Sequence, residues 1–189
     1  NSTLQSDGWR DVYGILAIAT VFIMIPLSFL LTKKITEETS RISDAASENK
    51  RASVNISPRM LTILLSVAGI GCCVAMSMPQ VHIVAFCIDL GFGPAVGAEM
   101  LSLMLIGGII SRLINGLIAD KLGGVYTLLI GSTLQCIALF LYLPFDGLVS
   151  LYIVSAVFGL SQGGIVPSYA IIIREYLPSS QAGERVGFV

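Results

Sequence analysis

Charge is what this sequence has least of. Only 12% of its 189 residues are Asp, Glu, Lys or Arg, where a soluble domain carries roughly 25%. That is too little polar surface to cover a water-facing body, so lipid is the expected main solvent. A net charge of -1 offers nucleic acid no basic field, and no acidic tail is present, so nucleic acid is excluded as a partner. The four cysteines, Cys72, Cys73, Cys87 and Cys136, have neither zinc-ligand spacing nor the arrangement of a small secreted framework, and they read as small packing residues. No metal, cofactor or catalytic group is expected. The first apolar run lacks a basic leader and a small-residue cleavage site, which excludes a signal peptide. The chain begins at Asn1 and stops at Val189 just as another apolar run opens, so further helices of the same chain are expected as its partners.

What is present is apolar, at 54% of the residues. Five runs, 12–31, 60–86, 96–118, 125–143 and 149–173, each approach the ~20 residues that cross a hydrocarbon layer of ~30 Å as a helix. Only helices or closed barrels satisfy their backbone groups in lipid, and runs of this length without two-residue alternation exclude a barrel. The fold class is therefore all-α, integral to the membrane, with five transmembrane helices.

Lys33, Lys34, Arg41, Lys50, Arg51, Arg59, Lys121, Arg174 and Arg185 all fall on one side of the alternating topology, Arg10 on the other and Arg112 within a span. Basic residues mark the cytoplasmic side, which puts segment 32–58 in the cytoplasm and predicts a plasma membrane protein. The short loops lean toward a bacterial inner membrane. Segment 32–58 is rich in Ser, Thr, Glu and Lys and poor in large apolar residues, predicting a flexible linker with room for one short helical turn, between residues 1–31 and a second bundle at 59–189. Asn55-Ile56-Ser57 matches a glycosylation acceptor but lies in this cytoplasmic segment.

The run Gly116-Leu-Ile-Ala-Asp120-Lys121-Leu-Gly123-Gly124, preceded by Ser111-Arg112-Leu113, resembles the cytoplasmic signature of the major facilitator superfamily. Gly8-Trp9-Arg10 before an apolar run and a basic linker resembles the start of that family's sixth helix. The resemblance implies a partial major facilitator fold covering helices six to ten. In it Gly116 permits close helix approach and Gly123 a tight turn, Lys121 is the signature's basic residue, and Asp120 accepts hydrogen bonds from a helix N-terminus or pairs with a cation such as Arg185. Many members carry a basic residue where Gly124 stands, which puts the grip of this loop on its neighbour in question.

Arg112 is the most informative residue. An Arg in hydrocarbon costs ~2.5 kcal/mol or more and faces a cavity or partner, unless it snorkels to the interface. Its placement resembles the eighth helix of the monocarboxylate transporter and oxalate/formate antiporter group, where an Arg binds the substrate carboxylate, a task suited to a planar guanidinium fork. Members of that group often carry an Asp one turn earlier; Gly108 stands here, so a proton-coupling Asp is not carried over. His82, after Pro79, can titrate near neutral pH and line a route, or simply bond within its bundle. Asp89 reads as an external capping residue. Gln162, at the middle of the last run, offers hydrogen bonds to a substrate or ties helices together. Gly159-Leu-Ser161-Gln-Gly163 fits a nucleophile elbow on paper, but no strand precedes it.

The expected function is secondary transport of small organic anions, monocarboxylates foremost, by alternating access with proton symport or anion exchange, with Arg112 as anion anchor and His82 and Gln162 on the route. The alternative is a membrane-embedded sensor or structural subunit that keeps the fold without transport.

Overall fold

The computed structural model describes residues 8–30, 37–54 and 56–189; Lys33, Lys34 and Asn55 lie outside them. The described residues are helical, with no strand among them. The chain divides into two compact units, Asn1–Ser40 and Arg41–Val189.

In the first unit, α1 (Gly8–Leu30) runs through Pro26. Its hydroxyls turn back on their own helix, Thr20 Oγ1 to the Leu16 carbonyl at 2.7 Å and Ser28 Oγ to that of Ile25 at 2.9 Å. Such bonds hide polar groups from hydrocarbon and leave the apolar side chains, Phe22 and Phe29 among them, to face outward.

The segment expected to be flexible is largely helical: α2 spans Glu37–Val54. Composition misleads here because it measures whether a segment folds alone. This one need not: Glu48 and Arg51 pair one turn apart at 3.6 Å, and Lys50 reaches Glu175 at 3.5 Å, in the body of the second unit. Ser47 is buried beside them.

The remaining helices are α3 (Pro58–Asp89), α4 (Pro94–Leu122), α5 (Gly124–Leu141), α6 (Leu148–Gln162), α7 (Ile165–Tyr176) and α8 (Ser179–Phe188). Ser57 caps α3 by accepting from Met60 N–H at 3.3 Å, with Pro58 in the first turn, where a missing N–H costs nothing. On α4 the buried positions Gly97, Met100, Met104, Gly107, Ser111, Asn115 and Ala119 recur every three or four residues, a single helical seam. Their neighbours Ile109, Leu113 and Leu117 are exposed. Five helical stretches, including the joined α6 and α7, are long and apolar enough to cross a membrane. The last is the most central, 56% buried where the other three of this unit are 17–28%.

That last span is not one helix. It breaks at Gly163 and Gly164. Pro167 has no N–H for the Gly163 carbonyl, and the two glycines tolerate the resulting departure from the ladder. The break also admits a close approach: a Cβ on Gly163 would collide with the Gly108 carbonyl, Ser111 and the Arg112 nitrogen, and one on Gly164 with Asn115.

The core is two apolar clusters with a polar level between them. One joins Leu65 of α3 to Ile165, Tyr169, Ile172 and Ile173 of α7. The other joins Ile83 and Cys87 of α3 to Met100 and Met104 of α4, Ala138 of α5 and Leu151 and Phe158 of α6. Between them lie Gln80 of α3, Gln135 of α5 and Gln162 of α6, with Gly107 and Gly108 of α4.

Candidate functional site

The site is built where these polar turns meet. Gln80 Nε2 of α3 donates to Gln162 Oε1 of α6 at 2.7 Å, and Gln162 Nε2 reaches the Met104 carbonyl of α4 at 3.4 Å. Gln162 is only 4% exposed, so these partners replace water. Across from it stands Gly108, whose added Cβ would lie 3.5 Å from Gln162 Nε2. The missing side chain leaves room for about a methyl group beside a buried amide donor.

Arg112 lies one turn beyond Gly108 on α4, and its backbone nitrogen abuts Gly163, the residue after Gln162. Cα–Cβ bonds tilt toward a helix N-terminus, so the Arg112 stem leaves the backbone toward the Gly108 turn. Gly108 is the midpoint of the α4 helix, and Arg112 sits ~6 Å from it by the helical rise. The side chain is exposed and makes no ion pair among the described residues. Beneath it, Asn115 Nδ2 donates to the carbonyl and hydroxyl of Ser111, each at 2.9 Å, which holds this part of α4 rigid against the Gly163–Gly164 break.

The Arg112 backbone thus lies against the residue that follows Gln162, with the Arg112 side chain exposed and that of Gln162 buried, and His82 is not brought with them. His82 is exposed and lines a separate apolar cavity of ≈ 480 Å³ between α3 and α5, with Pro79, Phe86, Leu139 and Phe140. Gln80 and His82 leave α3 on different sides. Asp89 is the last residue of α3 and exposed. Ser161, the serine of the elbow-like pattern, donates to the Phe158 carbonyl of its own helix at 2.8 Å.

The cytoplasmic signature has its own geometry. Gly123 adopts φ +84° and alone separates α4 from α5, donating to the Ala119 carbonyl at 2.8 Å. Only Gly takes this conformation without strain. Gly124 N–H donates to Glu175 Oε1 at 3.1 Å, while Glu175 Oε2 pairs with Lys50. A side chain on Gly124 would press on Ile172, with its Cβ 2.8 Å from Cγ1. The loop is therefore gripped by a carboxylate at the helix N-terminus, and a basic residue at 124 would not fit.

Three expectations for this loop meet different facts. Gly116 is exposed, and a Cβ there would touch nothing within 4 Å, so the close approaches fall instead at Gly107, Gly159, Gly163 and Gly164. Asp120 and Lys121 are both exposed, and neither makes an ion pair or side-chain hydrogen bond among the described residues. Arg185 donates to Thr62 Oγ1 at 3.2 Å, not to Asp120.

Removing the Glu175 side chain is expected to cost about 1–2 kcal/mol, because the Gly124 N–H loses a charged acceptor. Lys50→Ala should cost under about 1 kcal/mol, since that ion pair is half exposed. Thermal unfolding of the detergent-solubilised protein separates the two; equal losses would mean that the ion pair, not the helix cap, holds the loop.

Sequence reasoning missed Gln80, Asn115, Glu175 and Gln135. Gln135 is 3% exposed, with Cys72 Sγ 4.0 Å from its Oε1, and its Nε2 has no partner among the described residues. Nearer the outer ends, the Tyr152 hydroxyl donates to the Glu99 carboxylate and ties α6 to α4.

The sequence profile of the Major Facilitator Superfamily matches residues 3–189. The chain belongs to that superfamily. Among curated proteins it is similar to the MFS-type transporter opdF of Penicillium oxalicum, 29% identical over 128 residues, which are 67% of this chain and 30% of the relative. It is also similar to Monocarboxylate transporter 13 of Rattus norvegicus, 26% identical over 114 residues, 59% of this chain and 27% of the relative. The matched part thus spans less than a third of the length of either relative. No solved structure matches. As a major facilitator chain it is a multi-pass membrane protein of a transporter family, and its buried glycine seams and polar mid-level belong to a helical membrane fold.

Proposed function

We propose that the chain is the helix six to ten portion of a plasma membrane secondary transporter for small organic anions, monocarboxylates foremost, with segment 32–58 in the cytoplasm. The observation that supports this reading is that the Gln162 amide lies beside Gly108, with Arg112 one turn further along the same helix and its backbone against Gly163. A guanidinium can bind a carboxylate bidentately, and the Gln162 Nε2 adds a neutral donor beside it. Both are donors, so the seat selects an acceptor-only group. A carboxylate is such a group, and its negative charge complements the guanidinium.

The name of the rat relative points to the same substrate class. Alternating access between two helix bundles would expose the seat to each side in turn, and proton symport or anion exchange would drive it. His82 opens onto the α3–α5 cavity and is given no contact with the anion. Asp120, Lys121 and Gly123 stand at the cytoplasmic end, away from the seat, where a turn that stays rigid lets α4 and α5 move as a pair.

The test is uptake of radiolabelled carboxylates by vesicles holding the complete transporter, with and without an imposed pH gradient. Accumulation that follows the gradient indicates proton symport, and accumulation that requires an internal anion indicates exchange. If no carboxylate moves, the fold serves another purpose, such as sensing.

A further inference from the structure

We propose that Gln80 is a positioning residue for the anion seat: it fixes the Gln162 amide so that Nε2, and not Oε1, faces the Gly108 gap beside Arg112. This rests on the reading that an anion occupies that gap.

The orientation follows from what each partner is able to do. A backbone carbonyl only accepts, so the end of the Gln162 amide nearest Met104, at 3.4 Å, is Nε2. The other end, Oε1, then lies 2.7 Å from Gln80, whose own amide must be the donor. The two contacts are unequal. The Gln80 bond is short, whereas the Met104 contact is near the limit of a hydrogen bond. The Gln80 bond therefore holds the amide, and Nε2 keeps most of its donor capacity unspent. It keeps it beside Gly108, where no side chain stands in the way.

For an anion the direction of this one amide decides the sign of the contact. Nε2 attracts a carboxylate oxygen and Oε1 repels it. A buried amide left without Gln80 is free to flip, and one facing a forced acceptor flips fully. Gln80 thus acts on the substrate through Gln162 from the opposite side, as a group that orients a ligand-binding residue does at a metal or catalytic site.

The experiment uses the complete transporter in proteoliposomes, with radiolabelled pyruvate and lactate as probes, and reads KM and Vmax for wild type, Gln80→Met, Gln80→Glu and Arg112→Gln. Gln80→Met keeps the length and loses the donor; KM is expected to rise about tenfold with Vmax within about twofold. In Gln80→Glu the ionised carboxylate only accepts and draws Nε2 toward itself, so KM rises further at about pH 7.5. Wild type and both variants are compared at that one pH.

A merely structural Gln80 would lower Vmax or protein yield and leave KM near wild type. KM within about twofold of wild type in both variants, or a KM for Gln80→Glu no higher than for Gln80→Met, overturns the positioning role. If Gln80→Met fails to insert, Gln80→Glu decides alone, because KM does not depend on the amount of transporter. Wild-type uptake that Arg112→Gln abolishes and the Gln80 variants leave unchanged overturns only this inference; no uptake by wild type overturns the anion seat with it.

Discussion

Arg112→Gln is expected to lower carboxylate uptake by on the order of 100-fold or more while the protein still inserts and folds. Hydrogen bonds to charged groups are each worth about 1.5–3 kcal/mol, and a guanidinium gives a carboxylate two of them in parallel. A glutamine is shorter and keeps one neutral amide donor group and no charge. Arg112→Lys should fall between, with a loss of about tenfold, because an ammonium keeps the charge as a point and loses the fork. The competing account is that Arg112 snorkels to the cytoplasmic interface and touches no substrate. In that case Gln would relieve a cost of about 2.5 kcal/mol and uptake would be unchanged, while Lys, which snorkels equally well, would match wild type. The order Arg above Lys above Gln therefore distinguishes a binding fork from a tolerated charge. The close approach of the Arg112 backbone to Gly163 sets it beside the break in the last span, at a depth where a fork has a use.

The spans were legible because hydrocarbon thickness forces a length on any helix that crosses it. Their limits differ by a few residues, as at 96–118 against Pro94–Leu122, since a helix continues through the headgroup layer after its apolar run has ended. Within the run 149–173, Pro167 is the residue that marks a break in the ladder, and the structure sets that break at Gly163 and Gly164. What could not be read were partners set by packing. Gln80 means nothing until Gln162 arrives from 82 positions away. Glu175 reads as an ordinary helix-end carboxylate until the Gly124 N–H is set against it. Gly116 misled in the other direction: a glycine in a known signature suggested a close neighbour, yet close approach requires a facing helix, and none of the described residues supplies one. Arg112 stood out by cost alone, because a charge in lipid calls for a reason wherever the rest of the chain lies.

The second large effect is on assembly. Gly159→Ala and Gly163→Ala are each expected to destabilise the bundle by about 2–3 kcal/mol, whereas Gly116→Ala should be neutral or stabilising by up to about 1 kcal/mol. In lipid no hydrophobic force draws helices together, so association depends on how closely backbones approach. A Cβ on Gly159 would sit 2.5 Å from the Met104 carbonyl and 2.9 Å from its Cα, and one on Gly163 would meet the Gly108 carbonyl and the Arg112 nitrogen. These are backbone atoms and have no rotamer to escape into, so α4 and the last span must separate along this seam. At Gly116 the added methyl meets nothing within 4 Å among the described residues, which leaves the gain in helix propensity. Thermal unfolding of the complete transporter in detergent or bilayer reads all three. The Gly159 variant carries a second consequence, because the Met104 carbonyl it displaces is also the acceptor facing Gln162 Nε2. Gly159→Ala should therefore raise KM for a carboxylate even in the fraction that remains folded, and Gly116→Ala should leave KM unchanged. A Gly159 variant that loses stability and keeps a wild-type KM would separate the packing seam from the anion seat.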